Sequence, residues 1–134
     1  NRKTARIEGC ETTGHAYKDS YKSTLTVAPQ NLYIAPGNKT NDELITSVTE
    51  GVLITNLSGL HSGTNTISGD FSVEATGFYI IDGKIASPIK QMTIAGNFFT
   101  LMKDIEETSS ELYFLPHGYG SSSLLVKELA VTVE

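Results

Sequence analysis

The sequence predicts an α+β domain built on a largely antiparallel, strongly curved or barrel-like β-sheet with two short helices. Three observations predict it. Apolar and polar residues alternate from Asp70 to Thr76, Asp82-Gly83 separates two strand-like runs, and two short windows of helical spacing each follow a capping residue. At 134 residues, 39% hydrophobic and 19% charged, the chain has globular composition and enough length for one core.

Residues 1–23 carry few apolar residues and no sustained period, as a polar arm or linker would. That arm opens at Asn1 without a methionine and is expected to continue from a missing upstream region. A β-rich domain is expected over residues 24–134. Leu25 and Val27, then Leu32 and Ile34, hold strand spacing, while Pro29 and Pro36 confine them to short or edge strands. Thr40-Asn41-Asp42-Glu43 is a capping box ahead of Leu44, Ile45 and Val48, with Gly51 as the expected left-handed stop. Residues 52–57 form a nearly continuous apolar strand, and a glycine-rich loop follows.

From Asp70, the residues Phe71, Val73 and Ala75 face one side, and Gly77 interrupts as a bulge or a close backbone approach would. Asp82-Gly83 then turns the chain into a partner strand, in which Pro88 signals an edge or bulge. Asn97 caps a second helix whose Phe98, Leu101, Met102 and Ile105 are expected in the core. Residues 111–115 and 122–133 supply the closing strands.

The formal net charge of −5 argues against direct nucleic-acid binding. No run approaches the length of a membrane span. The single cysteine, Cys10, has no internal disulfide partner and suits a reducing cytoplasm. His15, His61 and His117 are far apart, without a two-histidine helix motif or a cysteine pair, so no metal ligand is assigned. No serine stands in a nucleophile elbow, and groupings such as Ser62, His61 and Asp70 are expected by chance in so serine-rich a stretch, so no catalytic residue is assigned. Gly63 to Gly69 has the spacing of part of a phosphate loop, but Asp70 stands where lysine should be. Asp70 either binds a peptide amine or a partner residue, or begins its strand by accepting backbone amides of the preceding turn; local chemistry favours the second. His61 either lines a cleft or packs at the loop base.

The block G-L-H-S-G-T-N-T-I-S-G-D-F-S at 59–72, the hairpin I-D-G-K with Pro88 after it, and T-I-A-G-N-F-F at 93–99 resemble the TldD/TldE family, also known through PmbA and as modulators of DNA gyrase. Segments near 21–45 and 123–131 look like the same family. The resemblance implies the carboxy-terminal domain of a cytoplasmic zinc metallopeptidase that works as a TldD/TldE heterodimer on unfolded peptides. In that family the TldD-type subunit holds the zinc, partly through a late cysteine that would fall near residues 116–123. None is present there, and Cys10 lies in the wrong region to replace it. The wording is therefore closest to the TldE/PmbA type, which implies no cofactor in this fragment, zinc in a TldD-like partner, and an inactive fragment in isolation. Gly59, His61, Gly63, Gly69, Asp70 and Phe71 are the candidate contacts to a peptide channel or to the partner. A self-sufficient peptidase using His61 or His117, and a non-enzymatic peptide-binding module, are the alternatives.

Overall fold

The computed structural model describes residues 1–116 and 118–133. In chain order the elements are α1 (Arg2–Glu8), β1 (Ala16–Tyr17), β2 (Thr26–Val27), β3 (Leu32–Tyr33), α2 (Asn41–Thr46), β4 (Glu50–Ser58), α3 (Leu60–Gly63) and β5 (Asp70–Ile81). They continue with β6 (Lys84–Asn97), α4 (Phe98–Lys103), β7 (Ile105–Thr108), β8 (Tyr113–Phe114), β9 (Tyr119–Ser121), β10 (Leu124–Val126) and β11 (Ala130–Val133). The class is α+β with mostly antiparallel pairing, the one exception among the named strands being the parallel β3–β9 pair.

Two compact units divide the chain. The smaller comprises residues 1–34 and 113–121 and holds α1, the β1–β2 pair and a three-stranded sheet in the order β3-β9-β8. The larger comprises residues 35–112 and 122 onward and holds a four-stranded sheet, β11-β6-β5-β4, with a separate β7–β10 pair. No closed barrel forms among the described residues, which corrects the barrel-like expectation. Four strands are too few to close around a packed interior, and the chain leaving α4 joins a ladder of its own instead of extending the large sheet.

The larger unit is organised by the β5–β6 hairpin. Asp82 (φ 48°) and Gly83 (φ 71°) both take the left-handed conformation of a two-residue turn whose twist matches its strands. Val73, Ala75, Ile89, Met92 and Ile94 form the buried cluster, with Val52, Ile54, Phe71, Tyr79, Leu129 and Val131 packed on it. Gly77 answers to both sequence readings: the β5–β6 register shifts beside it, and a Cβ there would lie 1.9 Å from the Leu53 carbonyl oxygen. Pro88 stands in β6 where β11 does not reach, opposite Phe78 and next to a register shift, so its missing N–H costs no ladder bond on that side.

There are four described helices where two were expected. α1 lies in the polar arm, capped by the Asn1 side chain on Thr4 N and stopped by left-handed Gly9; Ala5 alone is buried, so no apolar stripe announces it. α3 is a single turn. The Thr40–Glu43 capping box forms as expected, with both reciprocal hydrogen bonds. Its helix is shorter than expected, however, ending at Ser47, and Gly51 is a strand residue of β4 without a left-handed φ. The cause is the neighbouring hairpin: the carbonyls of Val48 and Thr49 accept from Gly83 N (2.9 Å) and Asp82 N (2.7 Å), which draws the chain into the sheet.

Met92 is completely buried, so Met92→Ala should lower unfolding free energy by about 2–5 kcal/mol in a urea titration. Removing the exposed Lys39–Glu107 ion pair by Lys39→Ala should cost less than about 1 kcal/mol in the same measurement.

Candidate functional site

The segment 59–69 connects β4 to β5 at one end of the large sheet, and local chemistry determines its path. Gly59 (φ 75°) enters α3 in the left-handed conformation, and His61 is exposed on that turn. Gly63 rests directly on β5, where a Cβ would stand 2.2 Å from the Ser72 carbonyl oxygen. Asn65 then organises the loop: its side-chain oxygen accepts from Ile67 N (3.0 Å) and Ser68 N (3.1 Å). Its main chain bonds Gly69 N and the Asp70 carbonyl at 2.8 Å each. The Asx role expected of Asp70 thus belongs to Asn65.

Asp70 instead closes the open end of the hairpin. One carboxylate oxygen accepts from Asn97 Nδ2 (2.8 Å) and the other from Ser68 Oγ (2.7 Å). Asn97 Nδ2 also donates to the Ser68 carbonyl (2.9 Å), while Asn97 Oδ1 caps α4 by accepting from Phe99 N (3.0 Å) and Thr100 N (3.4 Å). Phe98 N donates to the Gly69 carbonyl (2.7 Å). A single exposed clasp therefore joins the loop, the first residue of β5, the last residue of β6 and the start of α4. Hydrogen bonds from Asn97 and then from Ser68 stabilise the carboxylate form and hold the Asp70 pKa below its ordinary value.

Gly69 (φ 83°) completes this arrangement, since a Cβ there would meet the Phe99 ring at 2.7 Å. Phe98 and Phe99 pack edge to face, 5.8 Å apart, yet are 52% and 56% exposed, as Met102 is at 40%. This corrects the expectation that the stripe Phe98, Leu101, Met102 and Ile105 is core. α4 contributes six residues at the end of the hairpin, not across its face, so Leu101 and Ile105 are half-buried and the rest project outward. Phe71 is half-buried on the core cluster.

Of the six sequence candidates, Gly69 and Asp70 are drawn into one constellation with Ser68, Asn97 and Phe99. Gly59, His61 and Gly63 belong to the adjoining turn. Sequence reading had Asn97 as a helix cap but missed its second role against Asp70. Beside the clasp lies an open cleft of about 460 Å³ whose lining includes Asn97, Thr100, Asp104 and Glu128. Among the described residues no three His, Cys, Asp or Glu side chains gather into a set able to hold a metal ion. His117 lies outside the described residues.

Two consequences can be measured. Because the folded Asp70 pKa is depressed, its stabilising contribution is present above the unfolded carboxylate value and is lost as pH falls through the folded value. Glu43, whose pKa is lowered first by its backbone bond to Thr40, acts in the same direction. Urea midpoints should therefore fall on acidification from neutral pH, and Asp70→Asn should flatten part of that dependence. Asn97→Ala should raise the Asp70 pKa in carboxyl NMR titrations and weaken the start of α4 by about 1 kcal/mol.

Comparison with known proteins fits this architecture. Residues 1–133 match the family described as the PmbA/TldA metallopeptidase C-terminal domain. A metalloprotease TldD homologue from Buchnera aphidicola (Acyrthosiphon pisum) is 28% identical, over 95% of this chain and 29% of its own. A metalloprotease PmbA homologue from Buchnera aphidicola (Baizongia pistaciae) is 31% identical, over 75% of this chain and 22% of its own. Among solved structures, a candidate modulator of a DNA gyrase from Thermotoga maritima superposes with a TM-score of 0.85 at 37% identity, covering 98% of this chain and 29% of that one. TldE from Thermococcus kodakarensis gives 0.71 at 26% identity, covering 90% and 27%. The chain thus spans under a third of the length of these relatives. It belongs to the PmbA/TldA metallopeptidase C-terminal domain family.

Proposed function

We propose that this domain is the carboxy-terminal part of a TldE/PmbA-type subunit, which holds no metal itself and works with a TldD-like partner in the processing of unfolded peptides. The observation that carries the reading is the donor inventory. The described residues gather no metal-ligand set, and residues 116–123, Pro116 to Ser123, contain no cysteine. His15, His61 and Cys10 are dispersed along exposed segments. These residues do not fit a catalytic metal, so no cleavage step is assigned to them.

In this reading the domain supplies shape. Gly59, His61, Gly63, Gly69, Asp70 and Phe71 form a wall or partner contact, with the exposed Phe98 and Phe99 beside them. The carboxylate of Asp70 is already engaged by Asn97 and Ser68, which suits a group that holds a wall in place better than one that takes up a proton. Zinc belongs to the TldD-like partner. The acidic chain and its single cysteine fit a cytoplasmic location without nucleic acid or membrane as direct ligands. No described helix is long and apolar enough to cross a membrane.

The full chain should show no hydrolysis of an unfolded casein-like peptide alone, and hydrolysis should arise on mixing with a TldD-like protein. After dialysis, metal analysis of the isolated chain should find less than about one-tenth equivalent of zinc. Stoichiometric zinc on this chain, or activity of the chain alone that His61→Ala abolishes, would reject the division of labour.

A further inference from the structure

We infer that Asp82 is a latent backbone-modification site, where the side chain closes on Gly83 N and the linkage isomerises once the turn is released. The junction between α2 and β4 is the latch that keeps it shut. The inference stands apart from the proposed function and concerns the chemical survival of the fold.

Asp82-Gly83 is the single Asp-Gly pair of the sequence, and no Asn-Gly pair occurs. Glycine carries no side chain, so it leaves the nitrogen on its side of the bond unshielded. The Gly83 nitrogen attacks the carboxyl carbon of the Asp82 side chain. The N–Cγ bond forms, the Cγ–OH bond breaks, and the amide proton leaves with the hydroxyl as water. Water then reopens the cyclic imide. Addition at Cγ restores aspartate, whereas addition at the Asp82 main-chain carbonyl carbon breaks its bond to Gly83 N. The chain then runs through Cβ and Cγ, as a β-aspartyl linkage with a free α-carboxylate. Water is released and consumed in equal amount, so the net change is an isomerisation.

In the folded chain this attack is blocked, although Asp82 is exposed and burial does not protect it. Asp82 N donates to the Thr49 carbonyl (2.7 Å) and Gly83 N to the Val48 carbonyl (2.9 Å). Two successive amides bonded to two successive carbonyls fix the rotation between Asp82 Cα and its carbonyl carbon. That rotation is the one that swings Gly83 N toward the carboxyl. The attacking nitrogen must also give up the proton it shares with Val48. Gly83 is held from its other side by α2, where a Cβ would lie 2.6 Å from the Thr46 carbonyl oxygen. The latch has its own anchors: Leu44 is buried, the Thr40–Glu43 capping box starts α2, and Val48 N donates to the Ile45 carbonyl (3.1 Å). Once formed, the β-aspartyl linkage adds a methylene to the main chain of the turn. The Ile81–Lys84 pair that closes a two-residue turn is then out of register. A chain that isomerises while open is thereby barred from closing again.

Peptide mapping with electron-transfer fragmentation, which separates β-aspartyl from aspartyl linkages, tests this by following Asp82 through weeks of incubation. In guanidinium chloride the full chain should gain the β-aspartyl form at least about tenfold faster than the native chain does. Thr40→Ala removes the α2 cap and should speed the native reaction about fivefold, the factor carried by one lost cap. Asn97→Ala loosens a helix cap at the other end of the hairpin and should leave the rate unchanged. Equal rates in the native and unfolded chain, or no product in either, would overturn the inference. So would no acceleration by Thr40→Ala, or equal acceleration by both variants, which means that global unfolding and not the latch is the gate. The isomerised chain, isolated by reversed-phase chromatography and returned to native buffer, should unfold at lower urea than the unmodified chain. An unchanged midpoint would show that the turn closes over the altered linkage and would reject the bar to refolding.

Discussion

The register of the β5–β6 hairpin is the constraint on which the larger unit depends. It is fixed at one end by Asp82 and Gly83, whose left-handed backbone sets the turn. It is fixed at the other by the Asp70 carboxylate, which accepts from Asn97 across the ladder. A slip of one residue would reverse every facing, moving Val73 and Ala75 out of the cluster they form with Ile89, Met92 and Ile94. Gly83 has a second duty at the turn: a Cβ there would lie 2.6 Å from the Thr46 carbonyl oxygen, so α2 seats against it. Turn, core and helix docking are thus consequences of one alignment.

Much of this was legible because its causes are local. The capping box at Thr40, the Asp82-Gly83 turn, the alternation after Asp70 and the Asn97 cap each depend on residues within a few positions of one another. What escaped depends on accumulated displacement. Ile81 faces Lys84 beside the turn, Phe78 faces Pro88, and Ala75 faces Met92, so two single-residue shifts build up along the hairpin. Counting outward without them pairs Asp70 with Ala95; with them it meets Asn97. The signals for those shifts, Gly77 and Pro88, were visible, but not their sum. α1 and α3 escaped for a different reason, since one buried residue or one turn of helix leaves no period to detect. The barrel expectation failed because strand propensity does not reveal which strands meet.

The glycines of the candidate segment illustrate how composition can suggest a ligand loop where packing is sufficient cause. Gly63 is demanded by the Ser72 carbonyl and Gly69 by the Phe99 ring and a positive φ. Neither requires a phosphate or a metal to account for it. Relatives named TldD and PmbA match at similar identity, so the shared fold does not itself determine which subunit carries the chemistry. That distinction falls to individual side chains.

The wall proposed for unfolded peptides has a particular physical requirement. Side-chain pockets would select sequences, whereas main-chain groups accept nearly any extended segment, provided the host strand does not have to order itself first. Binding through a handful of hydrogen bonds gives a small net free energy, because each replaces bonds to water. Any ordering cost on the host side would consume that margin. The β5–β6 hairpin, anchored at both ends, carries β4 as its neighbour through Val52 and Ile54, and so keeps the outer groups of β4 in strand geometry without a ligand. The Asp70–Asn97 clasp therefore acts beyond its own strands: by securing the β5–β6 register at its open end it also fixes the alignment of β4, which pairs with β5 over most of its length.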